Sequence, residues 1–369
     1  MSIHFPYRLR PMRSTVCILT LLFLLPTTPA YSQAENVVLI TLDGLRPEEV
    51  FGGADERLML PELGVKDAEK TKQIYGGETR EHRRERLLPF LWNRVERGGW
   101  ITGDLEKNSQ VQVTNGKYFS YPGYSELLCG FADDSIDSND KKYNPNVTVL
   151  EYLQNDPEYI GSVLAFCSWD VFPFIINDER SGIPVNAGWS ELELGNESQL
   201  KLLNHCASNI FHEWDSVRYD VFTSSGAIEA LKTEQPRVLY VSLGETDDWA
   251  HAGRYDRYLL TATQNDGFIR QLWQQTQSMS QYRNKTAFLV TTDHGRGDGR
   301  EGWKNHGAKL PGSDRIWVAA FGAGLSRSGI EENSKYTQSQ IAATVAALLG
   351  HDFCSTDERI ASPLPIVAK

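Results

Sequence analysis

Five short apolar runs constrain this chain more than anything else in it: residues 37–42, 161–166, 238–243, 287–292 and 316–321. Each has the length of a strand and is rich in aliphatic or aromatic residues. None shows the regular polar alternation of a sheet with one wet face, so each reads as a parallel strand buried on both sides. Helical patterns lie between them, at about 89–97, 123–129, 147–153, 255–277 and 338–349. This alternation predicts an α/β fold: a mostly parallel central sheet flanked by helices on both faces. The polar stretch 52–86, with its Gly52-Gly53 and Gly76-Gly77 pairs, predicts an insertion over the surface or the active site within a single domain spanning 33–369.

Open parallel sheets gather ligands at the carboxyl ends of their strands. Here those ends carry acids and histidines. Asp43 follows the first run, in Leu42-Asp43-Gly44. Gly244-Glu245-Thr246-Asp247 follows the run at 238–243, with His251 four residues on. Asp293-His294-Gly295 follows the run at 287–292, and His306 precedes the last run. Taken singly, Asp-Gly is ordinarily a turn, and an i,i+4 Asp/His pair or a lone histidine is ordinarily solvated surface. Taken in this order, three aspartates and three histidines delivered to one sheet edge predict a site for borderline divalent cations such as zinc. His82, His205, His212 and His351 lack strand-end or paired context and are assigned no site role.

Between the first two ligand groups runs Tyr118-Phe119-Ser120-Tyr121-Pro122-Gly123-Tyr124. Pro122 with Leu127 and Leu128 beyond it predicts a helix starting just after Ser120. A hydroxyl at that terminus has two readings. It is a helix cap, or it is a nucleophile favoured by the positive helix end and a neighbouring cation. The ligand set favours the nucleophile. Arg296, beside the Asp-His pair, reads as a surface arginine, and Tyr121, Tyr124 and Trp249 read as either packing or a stacking surface for a substrate ring.

The N-terminus differs from the rest. Arg8, Arg10 and Arg13 precede an apolar run at 16–25, and Ala30 and Ser32 occupy the −3 and −1 places of a small-residue cleavage site. That pattern predicts a signal peptide, 1–32, and a secreted or periplasmic protein; a membrane anchor is the less favoured reading of the same run. Loss of those 32 residues, with three arginines and no acid, would take the formal charge from −11 to −14. A surface so acidic argues against gripping nucleic-acid duplexes. It does not exclude a small phosphorylated substrate, because bound cations supply positive charge locally. Cys129, Cys167, Cys206 and Cys354 remain after cleavage, and an even count in an exported chain predicts at least one disulfide; Cys167 with Cys206 is the pairing favoured. The three sequons, at Asn146, Asn196 and Asn284, matter only in a host that glycosylates.

These motifs resemble the alkaline phosphatase superfamily, and most of all its nucleotide pyrophosphatase/phosphodiesterase branch. That pattern is a strand ending in Asp, a Thr or Ser before an aromatic-Pro pair, then Asp-x-x-x-His, Asp-His and a late His. The match runs from Asn36 to about Gly350. The resemblance implies one divalent metal held by Asp247, His251 and His306, and another held by Asp43, Asp293 and His294 with Ser120 bound to it. It also implies an asparagine contacting a phosphoryl oxygen, here Asn139 in Ile136-Asp137-Ser138-Asn139. Ser120 stands where the branch usually has Thr, and Gly123 where it commonly has Asn. Tyr124 stands where arylsulfatases need Arg, which argues against a formylglycine.

The function so implied is hydrolysis of phosphate esters, mono- or di-, by in-line attack of Ser120 and a phosphoseryl intermediate. Two rivals share the scaffold: a phosphotransferase or mutase, and a non-catalytic phosphoester-binding protein. A missing ligand would favour the last, and none is missing.

Overall fold

In the computed structural model, which describes residues 1–4 and 33–367, the apolar runs come together in one sheet. The predicted signal peptide falls almost wholly outside the described residues. The strands in chain order are Asn36–Leu42 (β1), Trp100–Thr102 (β2), Ser109–Gln112 (β3), Val163–Cys167 (β4), Val185–Ala187 (β5), Val238–Leu243 (β6), Thr286–Thr291 (β7), Arg315–Ile316 (β8), Val318–Gly322 (β9), Gly329–Ile330 (β10) and Ser334–Thr337 (β11). Eight of them form the main sheet in the order β10-β2-β9-β7-β1-β6-β4-β5, and β11-β3-β8 form a small second sheet.

β7, β1, β6, β4 and β5 run parallel. Their side chains divide by the two-residue period of a strand. In β1, Val37 and Leu39 enter one core while Val38, Ile40 and Leu42 enter the other. The first core is closed by helices Ser120–Cys129, Val149–Gln154, Phe172–Ile176 and Gln340–Leu348. The second is closed by Pro89–Glu96, Asp220–Thr233 and Tyr255–Ser278. Burial on both faces explains why the strands read as continuous apolar runs. The stretch 52–86 contributes helices Ala68–Tyr75 and Arg80–Leu87 and buries Leu58, Met59, Leu63, Val65 and Tyr75 in the second core. Among the described residues, no helix is long and apolar enough to cross a membrane.

Two sequence expectations need correction. The run at 316–321 is not a parallel strand: β9 is antiparallel to both β7 and β2. The reason lies in the segment joining β7 to β9, whose one helix, Gly299–Gly302, has four residues and which otherwise holds only the two-residue β8, so it carries no crossover back to the other sheet edge. The chain therefore stays at the edge where β7 ended, which is how His306 reaches the site at all. The expected disulfide is not formed either, for the four described cysteines are all free. Cys167 points from β4 into the first core, whereas the helix carrying Cys206, Glu197–Asn209, packs its Leu200 and Leu203 into the second.

A candidate two-metal centre at the strand ends

Five of the six predicted ligands follow a strand end, and His306 comes from the loop before β8. Asp43 directly follows β1, and its backbone N–H still donates to Leu243 at 2.9 Å, so the ladder holds to the last residue. Asp247 and His251 share one face of the helix Glu245–His251, which starts as β6 ends. Asp293 and His294 follow β7, and Gly44 N–H donates to Asp293 Oδ1 at 3.2 Å, tying the first strand end to the third.

The six side chains converge. His294 Nε2 lies 3.4 Å from Asp43 Oδ1, 3.4 Å from Asp293 Oδ2 and 3.9 Å from Asp247 Oδ1. His306 Nε2 lies 3.6 Å from Asp247 Oδ1 and 3.0 Å from His251 Nε2, and His251 Nε2 is 3.1 Å from Asp247 Oδ2. Two groups with donor atoms within metal-binding reach result, Asp43–Asp293–His294 and Asp247–His294–His306. The rings are oriented from behind. His294 Nδ1 faces the Gly295 carbonyl at 2.9 Å and His306 Nδ1 the Tyr118 carbonyl at 3.1 Å. A carbonyl only accepts, so each Nδ1 carries the proton and each Nε2 turns a lone pair inward.

Burial dominates the electrostatics. It pushes the Asp43 carboxyl well above its ordinary range and Asp293 up to about 8, with neighbouring carboxylates adding to both. It also keeps two imidazoles neutral, His294 well below its usual value and His306 at about 4. Asp247 is the exception: burial raises it, but the Arg296 guanidinium together with His306 and His251 outweighs this and holds it well below the carboxylate range. Asp43 Oδ1 and Asp293 Oδ2 are buried without a hydrogen-bond partner. Unpartnered carboxylate oxygens beside neutral imidazole lone pairs are costly as they stand, and divalent cations fit them.

A stability prediction follows for metal-free protein. Asp293 and Asp248, the latter also raised to about 8 by burial and then by Asp247, ionise at lower pH when unfolded, so their contribution is lost as pH rises towards 8. His306 works the other way, its depressed folded value costing stability only as pH falls below about 6.5. The melting temperature of chelated protein should therefore fall between pH 6.5 and 8, and zinc should flatten that slope. A chelated melting curve that rises over this window would contradict the assignment.

Ser120 is the first residue of its helix, Ser120–Cys129, and Phe119 is the cap, with no side-chain capping bond. The capping reading of the serine is thereby set aside. Its Oγ lies 3.4 Å from His294 Nε2, at the centre of the cluster. Asn139 lies against the start of the same helix: its Oδ1 accepts from Tyr121 N–H at 3.0 Å, which leaves its NH2 group as a donor. Tyr118, which leads into the helix, adopts φ +57°, a left-handed conformation that costs a bulky residue energy.

Other side chains were misjudged or missed. Arg296 is not on the surface but 1% exposed, and it bonds to Asp247. Tyr124 is no stacking surface: fully buried, it donates to Asp43 Oδ2 at 2.9 Å and accepts from Ser242 Oγ at 3.2 Å. Its spacing of one turn from Ser120 was the available signal. Tyr121 is likewise buried, its hydroxyl donating to the Lys142 carbonyl. Trp249 packs edge-on against Trp214, 4.7 Å between ring centres. Gln338, unmarked by any motif, donates to the Asp293 carbonyl at 2.6 Å.

Gly123 also has a physical reason. A Cβ there would fall 2.5 Å from the Asp293 carbonyl oxygen, because the helix Ser120–Cys129 lies directly on the third strand end. Gly123→Ala should destabilise the fold by roughly 1–3 kcal/mol. Thermal unfolding checks this, and an unchanged midpoint would show that the helix has room to move.

The sheet and its ligand-bearing strand ends define the class: the chain has the fold of the alkaline phosphatase superfamily. No protein-family model and no curated protein sequence matches it, so this rests on solved structures. The alkaline phosphatase PafA superposes with a TM-score of 0.57 at 10% identity, covering 92% of this chain and 100% of PafA. The lipoteichoic acid synthase LtaP from Listeria monocytogenes gives 0.54 at 11%, covering 87% and 73%. Murine ectonucleotide pyrophosphatase/phosphodiesterase 5 gives 0.50 at 12%, covering 88% and 100%. Identities this low speak for the fold alone.

Proposed function

We propose that this chain is a metal-dependent hydrolase of phosphate esters with Ser120 as its nucleophile. The observation that carries the reading is the Ser120 hydroxyl beside a cluster of three carboxylates, two of them buried, and three imidazoles, with two carboxylate oxygens left unpartnered. Asp247, His251 and His306 would hold one divalent cation and Asp43, Asp293 and His294 the other, with zinc favoured by the mixed nitrogen and oxygen donors. When bound, such cations lower the proton affinity of an adjacent hydroxyl and offset charge on the phosphoryl oxygens.

The chain's own groups do the rest. The helix start aims Ser120 Oγ at phosphorus; the hydroxyl gives its proton to solvent, the Oγ–P bond forms as the bond to the leaving oxygen breaks and that oxygen takes a proton from solvent, and water then adds to phosphorus and returns a proton to Oγ as Oγ–P breaks. Asn139 would donate its amide N–H to a non-bridging oxygen, held in place by Tyr121 N–H. Tyr124 and Gly44 fix the two carboxylates through their hydrogen bonds. Similar structures named a phosphatase, a phosphodiesterase and a synthase leave the final acceptor as the finer question, water in our reading and an alcohol in the transferase alternative.

Turnover of p-nitrophenyl phosphate, bis-p-nitrophenyl phosphate and p-nitrophenyl sulfate by zinc-loaded protein tests the proposal. Release of nitrophenol from a phosphate substrate, with water as sole acceptor, is expected. Turnover of the sulfate alone, or of none, would sink it.

A further inference from the structure

Arg296 is fixed from two sides. Its Nε donates to the Trp303 carbonyl and its Nη2 to the Lys304 carbonyl, each at 2.6 Å, and its Nη1 bonds Asp247 Oδ1. Gly44 makes the room, for a Cβ there would lie 2.6 Å from Nη1 and 2.9 Å from Asp247 Oδ1. The two halves of the centre are consequently unlike. Asp43 and Asp293 bring two carboxylates, each with a buried oxygen that nothing satisfies and with His294 as the ion-pair-range partner of both. Asp247 brings one carboxylate, and a fixed guanidinium already occupies one of its oxygens. A cation entering the first half meets two carboxyl groups whose unpartnered oxygens no guanidinium occupies. One entering the second shares its only carboxylate and must sit beside a positive charge that cannot retreat.

We propose that Arg296 makes the two metal positions unequal, so that Asp43–Asp293–His294 fills first and holds tightly, while Asp247–His251–His306 fills last and exchanges. This rests on the two-metal reading above, and it makes the second ion the one that ambient metal supply controls.

Calorimetric zinc titration of metal-free full-length protein, paired with metal analysis after dialysis, tests it without reference to turnover. Two classes of site are expected, at least about tenfold apart, the range in which a residue behind a metal ligand acts. Asp43→Asn should remove the tight class and Asp247→Asn the weak one. Arg296→Gln should tighten the weak class by on the order of ten- to a hundredfold, whereas Arg296→Lys, which keeps the charge, should not. One ion retained after dialysis by the parent and two by Arg296→Gln is the same result seen at lower affinity. Should Arg296→Gln not fold, the parent and the two aspartate variants still decide the matter. Equal affinities in the parent, or loss of the tight class in Asp247→Asn, would overturn the proposal while leaving a two-metal enzyme. No zinc binding at all would overturn both.

Discussion

Ser120→Ala should lower turnover by roughly a thousandfold or more while the protein folds and keeps its metals. The size of the loss follows from what the hydroxyl does. If its oxygen forms the bond to phosphorus, removing it deletes the covalent path, and no neighbouring side chain replaces it. The fold should hardly notice, because Phe119 and not Ser120 caps the helix, so no capping bond is lost. Metal content should also survive, since six other donor side chains surround the site. Ser120→Thr keeps the hydroxyl and should retain measurable activity. Turnover and metal analysis on both variants make the test, and near-parental hydrolysis by the alanine variant with metals still bound would show that another group attacks. A phosphoester-binding protein without catalysis would show no turnover to lose.

Chelation should abolish turnover, and added zinc should restore it. The cations are asked to do two things at once: complete the hydrogen-bond-poor oxygens of Asp43 and Asp293, and favour the ionised serine. Their removal should therefore also lower the melting temperature, since a ligand held at a hundred times its dissociation constant contributes about 2.7 kcal/mol to the folded state. Full activity after exhaustive chelation, confirmed by metal analysis, would end the two-metal interpretation.

Much of this was readable in the residues. Five of the eight strands of the central sheet were legible because burial on both faces leaves unbroken apolar runs, and the expected run 238–243 coincides with β6 to the residue, whereas β2, β5 and β10, of two or three residues each, are too short to leave one. Asp43, Asp247, Asp293 and His294 were legible because a strand end is a short-range feature. Strand direction is not, and β9 was misread because direction depends on whether the preceding loop crosses the sheet. Arg296 was misread for a related reason. An arginine beside two glycines looks solvent-bound, and only the fold reveals that the Trp303 and Lys304 carbonyls and Asp247 enclose it. The cysteines failed on distance through space, which their count says nothing about.

The sheet order carries a consequence for the chain's birth. β1 is the first of the described strands to be synthesised, yet its two neighbours are β6 and β7, so Val37 pairs with Val238 on one side and Ala287 on the other. Until some two hundred further residues exist, Asn-Val-Val-Leu-Ile-Thr-Leu waits with both edges open and no charge to blunt them. The same segment that ends at Asp43 is thus the chain's most exposed aggregation hazard during translation, and the one a chaperone would have most reason to shield. It also makes cation capture a late event, since Asp43 cannot meet Asp293 before the central strand is enclosed.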